Sequence, residues 1–243
     1  MSKNPIKSWK KSYFMNLALK QAQVNLGNTK ENPSVGCVLV KNNSVISSAC
    51  TSINGRPHAE YLAIKKAKDN SKNSDLYVTI EPCSHYGKTP PCVKFIIKNK
   101  VKRVIYSLKD PDHRSHNKSK KILKKNNIFV SNGILSSESK KFYKSYFNFK
   151  KNMLPYVTAK LAVSKDLFLN DKKNKWITNE FSRGRVHLMR SNHDCILTSN
   201  RTVIKDNPTL NCRIPGLKSK SPSRFIIDKN LRLPISSQIA KSA

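Results

Sequence analysis

No stretch of this 243-residue chain approaches the about eighteen consecutive apolar residues that a membrane-crossing helix needs, so a membrane is not among its expected partners. Met1 to Lys11 carries basic side chains but no apolar segment behind them, which argues against a secretory signal. Six cysteines are too few for a disulfide scaffold at this length. The expected setting is cytoplasmic and reducing, where cysteines serve as metal ligands or core residues. No internal repeat is present. Acidic residues are scarce, 14 against 47 lysines and arginines, which leaves a net charge of +33. Phosphate attracts so basic a chain, and a nucleic-acid partner has to be weighed. Yet the lysines are spread over the whole length. Runs such as Lys118-Ser119-Lys120-Lys121 and Lys172-Lys173-Asn174-Lys175 lack the interleaved aromatics of a single-strand-binding face. Compositional drift accounts for the charge better, and part of it suits a small phosphorylated substrate.

What is present is more specific. His58-Ala59-Glu60 is followed by Pro82-Cys83 and then Cys92. An imidazole and two thiolates are donors that zinc prefers. Three protein ligands leave a tetrahedral ion one open position, where a bound water falls in pKa from about 16 to about 7. A carboxylate two residues after the histidine can move that water's proton. This is the H-x-E…P-C layout of a zinc hydrolytic deaminase, with His58, Cys83 and Cys92 as ligands and Glu60 as proton shuttle. The chemistry it supports replaces an amino group on an aromatic heterocycle by a carbonyl and releases ammonia. Taken singly, each cysteine reads as a core residue and His58 as a surface histidine; only the combination carries the inference. Cys37, Cys50, Cys195 and Cys212 have no such companions and are expected to pack. His85 is a candidate for lining the pocket.

Strands and helices alternate along the chain. Apolar spacing predicts a helix over 9–26, a strand over 35–40, a hairpin through Asn42-Asn43 into a short strand near 45–46, and a helix over 59–67. A β-rich run at 76–80 suits a central strand, and a helix is expected to start near Pro91, proline being favoured in a first turn. A strand at 103–106, a lysine-rich helix at 118–126 and a strand at 128–130 follow. This is α/β: a three-layer α/β/α domain of the cytidine-deaminase type over 1–150, ending in a helical connector over 138–150. A second α/β unit over 151–243 is expected to open with a strand at 155–162. A helix at 178–190 and strands at 195–198 and 225–227 come after it.

The span Glu81-Pro-Cys-Ser-His-Tyr-Gly-Lys-Thr-Pro-Pro-Cys92 exceeds what zinc ligation requires. Eight residues separate its cysteines, where most cytidine-type deaminases place two. Together with Asn32-Pro-x-Val-Gly36 and Gly55-Arg-Pro-His-Ala-Glu60, it resembles the bifunctional riboflavin-biosynthesis deaminase/reductase family, over nearly the whole chain. The resemblance implies deamination of 2,5-diamino-6-ribosylamino-4(3H)-pyrimidinone 5′-phosphate, with Zn2+ on His58, Cys83 and Cys92, Glu60 as shuttle and Asn32 touching substrate. For the second unit it implies an incomplete dihydrofolate-reductase-like domain, carried by Lys160-Leu-Ala-x-Ser164, Lys175-Trp-Ile-Thr178 and Thr202-Val-x-x-Asp206-x-Pro-x-Leu210-x-x-Arg213. There Ala162, Trp176, Thr202 and Asp206 would contact NADPH. Arg190, Leu210 and Arg213 would hold the substrate, the arginines being suited to its phosphate. Without the resemblance, Trp176 reads as a core aromatic and these arginines as solvated surface. The partner implied is a small phosphorylated pyrimidine; association with further copies of the chain stays open.

The chain departs from the family pattern in four places. Asn174 stands before the tryptophan instead of serine, and Thr51 replaces a frequent histidine. The 110–119 loop lacks its usual glycines. Ala243 falls about halfway through the expected reductase, before its later glycine-rich segment, so an inactive reductase is expected. Two alternatives are weighed against the deaminase reading. One is a nucleic-acid cytidine or adenosine deaminase, favoured by the charge. The other is an inactive remnant in which zinc only supports the fold.

Overall fold

The computed structural model describes residues 8–169 and 177–242. The chain divides into two compact units after Val157, and each is described by itself. In the first, α1 (Ser8–Val24) precedes β1 (Gly36–Lys41) and β2 (Ser44–Cys50), then α2 (Ala59–Ala67) and β3 (Asp75–Ile80). α3 (Cys92–Lys98), β4 (Arg103–Leu108), α4 (Lys118–Lys125) and β5 (Phe129–Asn132) complete the layers. The five strands form one sheet in the order β2-β1-β3-β4-β5. β1 runs antiparallel to β2 and β3, and β3, β4 and β5 run parallel. At the start of the parallel pair, Asp75 sits opposite Arg103 in register, and their side chains form a two-point ion pair. A bidentate pair of this kind fixes register as well as adding energy.

The strand periodicity sorts the core into two layers. Leu76, Val78 and Ile80 of β3 and Val104, Tyr106 and Leu108 of β4 pack with Ala63 and Ile64 of α2 and Ile96 of α3. The intervening Tyr77 and Ile105 point the other way, onto Phe14, Met15 and Ala18 of α1. Alternate side chains leave a strand on opposite faces, so a sheet covered on both sides is buried at every position, as β3 is, with Asp75 and Thr79 as its two polar members. Ile64, Ile96 and Leu123 are at most 1% exposed. Each full burial of such a side chain is worth about 1.5–3 kcal/mol. α1 lies so close to β1 that a Cβ on Gly36 would come within 1.8 Å of the Ala18 carbonyl oxygen. Only glycine fits there.

The connector is not the single helix expected over 138–150. It is two helices, α5 (Ser136–Phe142) and α6 (Lys144–Asn152), broken at Tyr143. Tyr143 is buried: its hydroxyl donates to the Ser34 carbonyl at 2.9 Å and lies 2.5 Å from Thr79 Oγ1. The break lets this ring enter the core, and Tyr146 and Phe147 of α6 pack against the same core.

In the second unit, α7 (Glu180–Ser191) is capped by Asn179, whose side chain accepts from Ser182 N. β6 (Cys195–Ser199) leads through α8 (Asn200–Asp206) to β7 (Ser223–Ile227), and α9 (Gln238–Lys241) follows. β6 and β7 pair in parallel with Leu197 opposite Phe225. The strand expected over 155–162 does not form. Those residues carry no regular structure and are largely exposed. Strand propensity becomes a strand only with a ladder partner, and among the described residues this segment has none. Cys195, expected to pack, is exposed, on the face of β6 that Leu197 shares. No described helix is long and apolar enough to cross a membrane.

Candidate active site

Parallel α/β sheets present their ligand sites beyond the carboxyl ends of the strands. β3 ends at Ile80 and β4 at Leu108, and the loops leaving them, with the start of α2, converge on one pocket. His58 is the cap residue of α2 and Glu60 lies in that helix's first turn. Cys83 follows β3, and Cys92 is the first residue of α3, with Pro91 at the cap position just before it. The chain between the cysteines returns on itself: Cys92 N–H donates to Cys83 Sγ at 3.2 Å and Val93 N–H to the Cys83 carbonyl at 3.2 Å.

The three donor side chains meet. Their ligand atoms lie within 4.8 Å of one another, with His58 Nδ1 at 3.6 Å from Cys83 Sγ and 3.3 Å from Cys92 Sγ. Zinc–nitrogen and zinc–sulfur bonds of about 2.0 and 2.3 Å at a tetrahedral angle put nitrogen and sulfur roughly 3.6 Å apart. The residues therefore fit a tetrahedral zinc through Nδ1 and two sulfurs. The other ring nitrogen, Nε2, is buried and has no hydrogen-bond partner among the described residues.

The electrostatics suit a metal-binding pair of thiols. Cys83 ionises first: a hydrogen bond from Cys92 lowers its pKa to about 4, against burial, with help from His58. That same bond, reinforced by burial and by the neighbouring Glu60 charge, pushes the Cys92 thiol well up. A cation is what would make the second deprotonation favourable. Burial also works to lower the His58 pKa, but its hydrogen bond to Cys83 and the charges of Glu60 and Cys83 outweigh that and raise it. Glu60 is 4% exposed, and burial pushes its carboxyl up, only partly countered by the His58 charge. A buried carboxyl beside a metal-binding triad is placed to take and return a proton.

Several pocket residues carried no functional signal in the sequence reading. Glu81 is 1% exposed and accepts from Asp110 N–H, Asn117 N–H and the Ser119 hydroxyl at 3.3, 3.1 and 2.6 Å. It ties the end of β3 to the 110–119 loop. That loop makes its left-handed turn without glycine, because Asn117 takes φ 59°, a conformation asparagine tolerates better than most residues. Asp110 accepts from the Tyr146 hydroxyl at 3.1 Å, and burial raises its carboxyl to about 6. Asp112 binds Arg114 and Lys150, and its carboxyl is held far below the usual range, first by the Arg114 hydrogen bond. Tyr146 and Lys150 come from α6, far away in sequence. The adjacency of Glu81 to Pro82-Cys83 was the one local clue.

Asn32 lines the pocket with its amide nitrogen donating to the Gly55 carbonyl at 3.0 Å, which leaves its amide oxygen for other partners. A Cβ on Gly55, at φ +84°, would lie 2.7 Å from that amide nitrogen. Thr51 is buried at the pocket wall, where its hydroxyl accepts from Val35 N–H at 2.9 Å. His85 also lines the pocket and pairs with the Ser115 hydroxyl at 2.9 Å. In the second unit, Arg190 and Arg213 come together around His187, at 3.4 and 3.3 Å from its ring nitrogens. Burial and the neighbouring Arg213 lower the Arg190 pKa. Thr202 lies in the first turn of α8, its N–H donating to Ser199 Oγ, and Asp206 ends that helix. Ala162 lies in the irregular segment, and Leu210 follows α8 at φ 53°. Trp176 and Asn174 lie outside the described residues.

Comparison with known proteins agrees with this geometry. The cytidine and deoxycytidylate deaminase zinc-binding region matches residues 8–108, and the RibD C-terminal domain matches residues 155–243. The riboflavin biosynthesis protein RibD of Bacillus amyloliquefaciens is 40% identical over 91% of this chain and 60% of its own length. That of Escherichia coli (strain K12) is 36% identical over 92% and 61%. The chain thus spans about 60% of the length of these curated relatives. The solved structure of Acinetobacter baumannii RibD superposes with a TM-score of 0.87 at 34% identity, covering 97% of this chain and 68% of that one.

Proposed function

This chain belongs to the RibD family of riboflavin biosynthesis proteins, and from that premise we propose that its first unit is a zinc-dependent deaminase. The substrate is 2,5-diamino-6-ribosylamino-4(3H)-pyrimidinone 5′-phosphate, and the products are 5-amino-6-(5-phosphoribosylamino)uracil and ammonia. The observation that carries the reading is the meeting of His58, Cys83 and Cys92 beside buried Glu60. Zinc held there would supply a water acidic enough to act as a nucleophile at neutral pH. His58 Nδ1 and the sulfurs of Cys83 and Cys92 hold the ion. Glu60 takes the water's proton and passes it to a ring nitrogen, then to the departing amine, so one water is consumed for each ammonia released. Asn32 offers its amide oxygen to a substrate donor, and Asp110 and Tyr146 close the pocket wall. A structural ion would need no buried carboxylate beside it, which counts against the inert-remnant reading.

The second unit is read as part of the family's NADPH-dependent reductase. Ala162, Trp176, Thr202 and Asp206 are assigned to the dinucleotide, and Arg190, Leu210 and Arg213 to the sugar phosphate. Among the described residues neither arginine has an acidic partner, which is consistent with holding an anion. The test of the deaminase reading is Glu60→Gln. It should retain about one zinc per chain and lose turnover by a factor of about 100 or more. Zinc retention with undiminished deamination would remove Glu60 from the proton path.

A further inference from the structure

The two sulfur donors of the metal pocket differ in access. Cys83 lines the pocket, whereas Cys92 is 4% exposed and is not among the lining residues. They are also held against each other. Cys92 N–H donates to Cys83 Sγ and Val93 N–H to the Cys83 carbonyl, each at 3.2 Å, and the sulfurs lie within 4.8 Å of one another. A disulfide needs its sulfurs about 2.05 Å apart, so a short approach remains. The chain between them can supply it: residues 81–91 carry no helix or strand and 86–90 are exposed, so no ladder or helical hydrogen bond in that stretch has to break. The other cysteines are placed differently. Cys37 and Cys212 are buried, and Cys195 is exposed on β6 of the second unit.

We propose that Cys83 and Cys92 form a reversible thiol–disulfide switch, with Cys83 the site of attack on hydrogen peroxide and Cys92 the resolving thiol, and that closing the bond empties the metal site. The inference rests on the reading of His58, Cys83 and Cys92 as zinc ligands. Ligation requires both sulfurs deprotonated, and the thiolate is the form that peroxide oxidises. The Cys83 sulfur attacks one peroxide oxygen: an S–O bond forms, the O–O bond breaks and hydroxide leaves, which gives the sulfenic acid. The Cys92 sulfur then attacks the Cys83 sulfur: the S–S bond forms, the S–O bond breaks and a second hydroxide leaves. Two electrons pass from the sulfur pair to one peroxide. The joined sulfurs carry no charge, so His58 alone is left as a strong donor. A dithiol reductant returns the two electrons and restores both ligands.

The test treats the zinc-loaded protein with hydrogen peroxide. Metal release is followed with a chromogenic chelator, free thiols by titration, and the bond itself by peptide mass spectrometry. Zinc release should keep pace with the loss of a pair of thiols per chain. The peptides holding Cys83 and Cys92 should be found joined, and dithiothreitol with added zinc should restore both thiols and metal. With dimedone present during oxidation, the sulfenic-acid adduct in the pocket should fall on Cys83. Cys195→Ser, which removes the exposed thiol on β6, should leave all of these readings unchanged. Zinc release without the joined peptides, zinc retained under peroxide that fully oxidises Cys195, or a dimedone adduct on Cys92 in place of Cys83 would overturn the switch. Should the purified protein take up no zinc, the ligand reading fails, and the metal half of the switch with it. Joined Cys83 and Cys92 peptides in that metal-free chain then support the thiol pair, and their absence refutes it.

Discussion

Replacing Glu81 tests how the site is supported. Its two carboxylate oxygens are used differently: one accepts from the backbone N–H groups of Asp110 and Asn117, the other from the Ser119 hydroxyl. In Glu81→Gln, the amide oxygen can keep both backbone donors, and the Ser119 hydroxyl can rotate to accept from the new NH2. Only the charge assistance is lost, about 1 kcal/mol. In Glu81→Ala, two backbone donors and one hydroxyl are left in a buried place without an acceptor, and partial relaxation of the loop leaves a cost of about 3–5 kcal/mol. Urea unfolding of the zinc-loaded protein, followed by circular dichroism, measures the difference as a midpoint shift. Amide exchange across 110–119 localises it. The alanine variant should exchange faster throughout that loop, whereas the glutamine variant should stay near the parent. Equal destabilisation by both, or none by either, would refute the claim that this carboxylate staples the loop.

Three further outcomes follow from the same contacts. Tyr143→Phe removes a hydroxyl that bonds to Ser34 and Thr79, and should lower stability by about 1–3 kcal/mol in urea titration; a change too small to resolve would contradict the docking role of that ring. Asp110 has a folded-state pKa of about 6 against 3.8 unfolded, so the native state binds its proton more tightly. Its contribution to stability is present at about pH 4 and lost as pH rises through about 6. Unfolding free energy should therefore fall across that window relative to Asp110→Asn, and parallel profiles would refute the shift. Asp112 acts in the opposite sense: the Arg114 hydrogen bonds depress its carboxyl, so Asp112→Asn should cost stability at pH 7 and little once the pH falls well below the ordinary aspartate value of 3.8.

Much of the first unit was legible because its signals are local. The β-rich run at 76–80 and the helix period through 59–67 mark elements whose burial depends on few distant choices. His58 and Glu60 are two residues apart, and the Cys83–Cys92 span folds back on itself, so their grouping could be read from spacing. Tyr146 and Lys150 could not, because α6 reaches the pocket only after the connector breaks at Tyr143, and nothing near 143 in the sequence signals that break. The 110–119 loop was read by its missing glycines, while the structure shows asparagine taking the left-handed position and Glu81 supplying the support. The run at 155–162 has the propensity of a strand. A ladder needs a partner as well as propensity, and sequence pattern alone does not supply one.

X-ray absorption at the zinc edge of the purified protein bears most directly on the central claim. A first shell of one imidazole nitrogen, two sulfurs and one further light atom, at about 2.0–2.3 Å, is the predicted result. Absence of zinc, or a shell with four sulfurs or with none, would contradict the assignment of His58, Cys83 and Cys92 to a metal with an open position.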